Sequence, residues 1–199
     1  EAFLEEWNGT SILARQPVKG LRAVDLYSDP LGGFGCGAWW GHRWLQFAWP
    51  DQWGGRNITL KELVPVVLAC AVWGPLWFGA RVVAHVDNEA AVAVLNSGYS
   101  KEGEIMQLIR SLFFIVAFYQ ISLSARHIPG TQNGAADAIS RDNLPLFFSL
   151  LQVADRWPAP IPLAQALVAL LVTERSDWTS AAWSRLFKSC FQPDCRQPR

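Results

Sequence analysis

The stretch 127–141 constrains this chain most, because it begins with an imidazole and carries the carboxylate of Asp137 further along. An alternating apolar pattern over 120–126 predicts a strand before it, and a Pro-Gly turn ends that strand. A helix is predicted from 135 to 140, so that His127 and Asp137 can face one cleft. Each residue alone has a plainer explanation, since an acid at a helix start also favours the helix dipole.

Length and composition predict one domain of ordinary size with extensions. The chain has 199 residues, of which 51% are apolar and 17% charged, so a substantial core can form and extensive disorder is excluded. Its 17 basic and 17 acidic residues give a formal net charge of +0. No long-range field therefore attracts nucleic acid, and such a partner would have to be bound at a local site.

The cysteines indicate the cellular setting. Cys36 and Cys70 lie in apolar runs, as reduced core thiols do, while Cys190 and Cys195 have no neighbouring pair or histidine to complete a zinc site. With no signal peptide, we expect an intracellular protein of cytoplasm or nucleus. Since Met106 is the sole methionine, we also expect a piece of a longer polyprotein.

One run, 105–123, has the length of a membrane span. Gln107, Arg110 and Gln120 interrupt it, and a charged residue is costly in the bilayer interior. We therefore expect a helix buried in protein and no membrane partner.

The first part of the core predicts an antiparallel meander of three strands. Residues 21–29 alternate as a strand, and two further strands are expected after the glycines that follow Pro30. Asp29 ends the first strand, where proline and glycine free its carboxylate to face a cleft. Asp25 shares that face by the period of two but is flanked by strand residues, so we prefer Asp29. An acid that only closes a strand before a turn is the alternative.

Glu62 has two interpretations. Thr59-Leu-Lys-Glu62 has the form of a capping box, which would begin a helix running to Gly74 and use Glu62 to satisfy a free backbone amide. Alternatively, Glu62 is a metal ligand that faces the same cleft as Asp29. Pro65, one turn further, is expected to bend this helix.

Asp87 ends the most apolar strand pattern of the chain. Residues 81–87 fit a central strand covered on both faces, and a helix over 89–96 follows directly. An acid in this position lies at the carboxyl edge of the sheet, where open α/β sheets bind ligands. Glu89, in the first turn of that helix, is expected only to favour its dipole. A longer helix is predicted from 103 to 119.

The pattern His-x-Pro-Gly-x-x-Asn-x-x-Ala-Asp-x-Ile-Ser-Arg over 127–141 resembles the last active-site segment of the ribonuclease H domain in retroelement reverse transcriptases. The resemblance covers about residues 20–143 and places a domain at 21–143. It implies an α/β, ribonuclease H-like fold, with a five-stranded mixed sheet of three antiparallel and then two parallel strands flanked by helices. It also implies that acids from separate elements meet in one site.

The resemblance implies roles for individual residues. Carboxylates would hold two Mg²⁺ ions, with Mn²⁺ as an alternative, because hard divalent cations take oxygen ligands and offset the repulsion among acids. The metal ligands would be Asp29, Glu62, Asp87 and Asp137. His127 would move a proton at the leaving group or help to release product. Asn88 and Asn133 would contact 2′-hydroxyl groups of an RNA/DNA hybrid.

The substrate implied by the resemblance is the RNA strand of that hybrid, cleaved during reverse transcription. Trp39, Trp40 or Trp44 could contact the DNA strand, although the protein core is the more common place for tryptophan. Between Asp87 and Asp137 the sequence lacks the lysine-rich helix and loop with which some family members bind the hybrid. We therefore expect weak binding by this domain alone, with affinity supplied by an attached or partner reverse transcriptase polymerase.

Both ends of the chain resemble the neighbours of ribonuclease H in DIRS-type retrotransposons, which encode a tyrosine recombinase. Residues 1–20 are interpreted as the tail of a preceding polymerase or connection region. Prolines mark 144–162 as a linker. Residues 163–199 are expected to form a helical extension, in which 178–187 resembles the beginning of a recombinase region.

Two other functions stay open. The chain could be a non-catalytic ribonuclease H-like connector or interaction module, although such a module has no need to tolerate repelling acids. It could also be a transposase or integrase of the same superfamily, but those usually end their acid set on a helical glutamate. Here the last acid is Asp137 beside His127, and a metal-dependent ribonuclease H is the leading hypothesis.

Overall fold

A computed structural model describes residues 22–161, and they form a five-stranded sheet in the order β3-β2-β1-β4-β5 with helices on both faces. The strands are β1 (Ala23–Pro30), β2 (Gly35–Trp40), β3 (Arg43–Ala48), β4 (Arg81–Val86) and β5 (Ser122–His127). The helices are α1 (Ile58–Trp73), α2 (Glu89–Ser97), α3 (Gly103–Phe118), α4 (Gly134–Ser140) and α5 (Leu144–Leu150). Short 3₁₀ turns lie at Asp51–Trp53, Gly74–Trp77 and Gly130–Gln132.

The pairing of the strands confirms the predicted five-stranded mixed sheet of three antiparallel and then two parallel strands. The first three strands form an antiparallel meander, and β4 and β5 continue the sheet in parallel with β1. Tyr27 lies opposite Trp39 on one side and His85 on the other, and Val86 lies opposite His127. The carboxyl ends of β1, β4 and β5 therefore meet at one edge of the sheet.

Helices cover both faces of the sheet, and two successive tryptophans of β2 pack against helices on opposite faces. The Trp40 ring packs edge-on against Trp73 of α1, with 6.2 Å between ring centroids. Its neighbour Trp39 packs with the cluster formed by Trp44 and Ile139 of α4. Because successive residues of a strand point to opposite faces, α1 and α4 lie on opposite sides of the sheet. Trp44 is 2% exposed, which places it in the core.

Helix α1 begins differently from the prediction. Its N-cap is Asn57, whose side chain accepts a 2.7 Å hydrogen bond from the Thr59 backbone amide. The predicted capping box at Thr59 is therefore wrong, and Glu62 is not needed to cap the helix. Asn is as good an N-cap as Thr, so the helix starts at the first of two adequate caps. Pro65 lies inside the helix and is buried.

Most residues of α1 are buried. Within the part of the chain that the structure describes, Ile58–Trp77 is the one helical stretch long and apolar enough to cross a membrane, and 72% of it is buried inside the fold. A core helix has the same composition as a membrane span when it is covered on all sides. The run 105–123 instead forms α3 and the start of β5, with α3 buried on one side.

The segment predicted as a proline-rich linker, 144–162, begins with a helix. Asn143 caps α5, and Pro145 lies in its first turn, where a proline is tolerated. Phe147 is fully buried against Trp44. The residues after α5 continue along β3: the Trp44 indole nitrogen donates to the Asp155 carbonyl, and the Ala159 amide donates to the Trp44 carbonyl.

The compact unit therefore extends to Pro160. The predictions for residues 1–20 and 163–199, together with Cys190 and Cys195, lie outside the described residues. Cys36 and Cys70 are buried free thiols, as expected for core cysteines.

Candidate functional site

Asp29 lies at the carboxyl end of β1 and is 7% exposed. The hydroxyl of Ser140 in α4 donates a 2.6 Å hydrogen bond to its Oδ2. Asp25, the other candidate on this strand, has a side chain that is 61% exposed and lies 2.8 Å from His85 Nε2. The structure therefore places Asp29, and not Asp25, at the edge where the strands end.

Glu62 projects from the first turns of α1 toward the same edge and is 5% exposed. Its pKa is raised to about 9 by burial first, and then by the charges of Asp87 and Asp29 and a hydrogen bond with Asp87. The Oε2 atom is buried and has no hydrogen-bond partner among the described residues. Glu62 thus lies close enough to two other acids to feel their charges, in a poorly solvated place.

Asp87 and Asp137 complete the group from two further elements. Asp87 follows β4 directly and is half-buried. Asp137 lies in the first turn of α4, with 37% of its side chain exposed, and its Oδ1 accepts a 2.6 Å bond from Nε of Arg141 one turn later. This carboxylate raises the pKa of the Arg141 guanidinium.

The charges of these acids act on one another. The pKa of Asp29 is raised to about 6 mainly by burial, while the Ser140 hydrogen bond lowers it and the charges of Asp87 and Asp137 raise it. Asp29 thus interacts with every other acid of the predicted set, because it also raises the pKa of Glu62. The structure brings the four predicted carboxylates to one edge of the sheet.

Their donor set fits a hard divalent cation, although the carboxylates do not form a ready-made cage. Among residues 22–161, no group of three or more His, Cys, Asp or Glu side chains is arranged to hold a metal ion. The fit comes from chemistry: two buried acids resist ionisation, and the Oε2 of Glu62 has no partner. Oxygen ligands of this type are those that Mg²⁺ and Mn²⁺ prefer.

His127 ends β5 beside Asp87 and is exposed. Its Nε2 lies 3.2 Å from the Asp87 backbone carbonyl oxygen. The following turn passes close to the same acid, since a Cβ on Gly130 would lie 3.4 Å from Asp87 Oδ2. The imidazole is therefore placed at the rim of the acid group, open to solvent.

The two predicted substrate contacts have other bonds. Asn88 caps α2, and its Oδ1 accepts a 3.0 Å bond from the Ala91 amide, which leaves its amide nitrogen to donate to a substrate. Asn133 is 2% exposed, and its Nδ2 donates a 2.9 Å bond to the Ser28 carbonyl oxygen. Asn133 therefore connects the start of α4 to β1, and a substrate contact from this nitrogen would require that bond to break.

Sequence reasoning gave no role to Ser140, Arg141 or Lys61. Ser140 and Arg141 belong to the pattern at 127–141, so their position after an acid was the available signal. In the sequence, Lys61 is only the third residue of the capping-box pattern Thr59–Glu62. Its burial depends on backbone carbonyl groups from distant loops, which local sequence does not indicate.

No protein-family model matches this chain. No curated protein matches it either. Among solved structures, the chain is similar to ribonuclease H1 from the halophilic archaeon Halobacterium salinarum NRC-1, with 12% sequence identity and a TM-score of 0.46. That match covers 62% of this chain and 98% of the archaeal one.

Proposed function

We propose that this chain is a metal-dependent endonuclease that hydrolyses the RNA strand of an RNA/DNA hybrid. The observation that carries the proposal is the pair of buried acids, Asp29 and Glu62, whose pKa values are raised to about 6 and about 9 beside Asp87. Acids that repel one another at the edge of a sheet cost stability unless a cation joins them. Carboxylates whose pKa values are shifted by burial together with a neighbouring charge cluster at functional sites.

Divalent cations bound by Asp29, Glu62, Asp87 and Asp137 would activate a water molecule and stabilise the leaving oxygen of a phosphodiester. Ser140 fixes one oxygen of Asp29 by its hydrogen bond. Arg141 fixes one oxygen of Asp137 in the same way, which leaves the other oxygen available. Both contacts come from the C-terminal end of α4, and each holds one carboxylate oxygen in place.

His127 is proposed to exchange a proton with the leaving group. Its ring lies at the rim of the acid group, next to Asp87, and is exposed enough to reach a bound strand. Histidine is suited to this task because its unperturbed side chain titrates near neutral pH. It contacts Asp87 through a backbone carbonyl, so the proposal gives it no part in holding the cation.

The retroelement setting is also a proposal, and the resemblance at 127–141 supports it. The net charge of +0 and the absence of a lysine-rich binding element between Asp87 and Asp137 support weak binding by the isolated chain. An attached or partner reverse transcriptase polymerase is proposed to supply the remaining affinity. DIRS-type elements are the proposed source.

The test is cleavage of a hybrid with a labelled RNA strand in Mg²⁺, compared with RNA/RNA and DNA/DNA duplexes of the same sequence. The parent chain is expected to cut only the RNA of the hybrid at low salt. Asp87→Asn is expected to lose this activity, and Glu89→Gln, two residues away and exposed, is expected to keep it.

Cleavage that persists in Asp87→Asn would exclude this site. A parent chain that binds hybrid but never cuts it, in Mg²⁺ or Mn²⁺, would contradict the enzyme and favour a non-catalytic connector or interaction module.

A further inference from the structure

Lys61 is a buried lysine that lies directly before Glu62 in α1. It is 2% exposed, and its Nζ donates hydrogen bonds of 2.7 Å to the Gly32 carbonyl and 3.2 Å to the Gly54 carbonyl. The same nitrogen lies 6.0 Å from the centre of the Trp49 ring. None of the ion pairs among the described residues includes Lys61.

A buried ammonium group without a carboxylate partner destabilises the folded state. Desolvating the charge costs free energy that two carbonyl groups and one aromatic ring offset only in part. An apolar side chain such as methionine would fill a similar volume without this cost. The benefit of a lysine here must come from the backbone groups that it bonds.

The Lys61–Gly32 bond joins the two segments that supply the buried acids. Gly32 lies in the loop directly after β1, which ends with Asp29 and Pro30, while Lys61 and Glu62 are consecutive in α1. The position of this loop relative to α1 sets how far the end of β1 lies from the start of α1, and therefore how far Asp29 lies from Glu62. The bond from Lys61 limits that separation.

A second contact holds the same loop from Trp49, the residue directly after the end of β3 at Ala48. The indole nitrogen of Trp49 donates a 2.6 Å bond to the Leu31 carbonyl, and its backbone amide donates to the Phe34 carbonyl at 2.9 Å. The loop is therefore fixed at both ends, and Lys61 provides its link to α1. Lys61 is not among the causes that shift the pKa of Asp29 or Glu62, so its effect is one of position.

We propose that Lys61 is a positioning residue that holds the loop after β1 against α1. This inference rests on the proposed function. The bond keeps Asp29 and Glu62 within reach of a shared cation before the cation binds. The loss of this bond allows the two acids to move apart, and the cation must then bring them together. The concentration of Mg²⁺ needed for half-maximal occupancy rises as a result. Turnover at saturating Mg²⁺ changes much less.

The experiment compares the full chain with Lys61→Met, Lys61→Arg and the exposed control Lys101→Met. Hydrogen exchange of the amides of 31–35 is measured in metal-free protein, and Mg²⁺ binding is measured by calorimetry and by hybrid cleavage. Lys61→Met is expected to exchange faster in this loop and to need about 10-fold more Mg²⁺, a typical loss for a group that orients metal ligands. Lys61→Arg, which can still donate to the carbonyl groups, is expected to recover part of the difference.

Exchange in a second segment separates this role from simple packing. If Lys61 holds the loop, Lys61→Met should speed exchange at 31–35 and leave the amides of 66–72 in α1 unchanged. A packing defect would speed exchange in both segments, and that result overturns the proposal. Lys61→Arg keeps the comparison available if Lys61→Met alone does not fold.

Failure of this proposal and failure of the proposed function give different results. Lack of cleavage by the parent chain contradicts the enzyme, but the exchange and calorimetry measurements still decide the role of Lys61. Cleavage by the parent with unchanged exchange and unchanged Mg²⁺ demand in Lys61→Met contradicts the role of Lys61 and leaves the enzyme intact.

Discussion

The hydroxyl of Ser140 donates a 2.6 Å hydrogen bond to Oδ2 of Asp29 from a fully buried position. The bond joins α4, which also carries Asp137, to the end of β1. It lowers the pKa of Asp29, whereas burial and the neighbouring acids raise it. A single hydroxyl group thus helps a buried carboxylate to ionise and fixes one of its oxygens.

Ser140→Ala should therefore raise the pKa of Asp29 above its value of about 6. Because a cation binds only the deprotonated acid, Mg²⁺ binding should weaken by about 10-fold at pH 6.5, and by less at pH 8.5, where Asp29 is ionised in both proteins. Calorimetric Mg²⁺ titrations at the two pH values measure this. Ser149→Ala, an exposed serine on α5, is the matched control, and a pH-independent loss in Ser140→Ala would contradict the explanation.

Asp87→Asn should stabilise the metal-free protein while it abolishes cleavage. The charge of Asp87 raises the pKa of both Glu62 and Asp29, so its removal relieves repulsion at pH 8. We expect a rise in melting temperature of about 2 to 4 °C, the change that about 1 kcal/mol produces in a domain of this size. Thermal unfolding in a chelator, with exposed Asp51→Asn as the control, tests it. A lower melting temperature for Asp87→Asn would show that the acid stabilises the fold.

The succession of strands and helices, and the place of the acids at the ends of strands, could be predicted because their signals are local, whereas the mixed five-stranded sheet was implied by the resemblance. Asp29 and Asp87 each end an alternating or apolar strand pattern, and a turn or a helix follows each of them. Glu62 was ambiguous, because Asn57 and Thr59 are both good caps and only the fold shows which one is used. The burial that raises the pKa of Glu62 comes from elements distant in sequence.

The helix that begins near Pro145 and the direction of the Asn133 side chain could not be predicted from the sequence, and the reasons are physical. Pro145 was interpreted as part of a linker, but a proline in the first turn of a helix is also favourable, and packing on Trp44 decides between these outcomes. The resemblance predicts that Asn133 faces a substrate, yet its side chain is buried and donates to the Ser28 carbonyl oxygen. The direction of a polar side chain in a turn depends on which backbone group is within reach, and short-range sequence does not indicate this.

The stability of the metal-free protein should fall as the pH rises, and Glu62 should be responsible. This acid ionises near 4.5 in an unfolded chain but keeps its proton to about pH 9 in the fold. Between these values the folded state binds more protons than the unfolded state, so the free energy of unfolding decreases with rising pH.

Urea unfolding in a chelator at pH 5 and pH 8.5 measures this slope. Glu62→Gln should flatten it, while exposed Glu89→Gln should not. Added Mg²⁺ should recover stability at pH 8.5, because it favours the ionised acids. An equally steep slope in Glu62→Gln would assign the effect to another group.

His127→Ala should slow turnover while leaving the demand for Mg²⁺ unchanged. The ring touches Asp87 only through its backbone carbonyl, so its loss removes a proton donor and no ligand. A reduction in kcat of about 100-fold is the usual scale for such a group. Single-turnover cleavage across a Mg²⁺ series measures both quantities, with half-exposed His42→Ala as the control. A shifted Mg²⁺ midpoint would mean that His127 supports the metal site.

Phe147→Ala should destabilise the whole unit, because α5 is part of its core. The side chain is fully buried, and its ring centroid lies 5.2 Å from that of Trp44. Truncation of a buried phenylalanine costs about 3 to 5 kcal/mol, whereas Leu146→Ala, at a side chain that is 43% exposed, should cost about 0.5 kcal/mol or less. Urea unfolding of both variants gives the comparison.

The same substitution should also disturb the position of the acids, because α5 packs on α4, and α4 carries Asp137 and Ser140. We therefore expect Phe147→Ala to need more Mg²⁺ for cleavage even at temperatures where it remains folded. If Phe147→Ala and Leu146→Ala were equally stable and equally active, residues 144–160 would behave as the linker that their prolines predict. If only Phe147→Ala loses both stability and Mg²⁺ affinity, α5 is required to hold Asp137 in place.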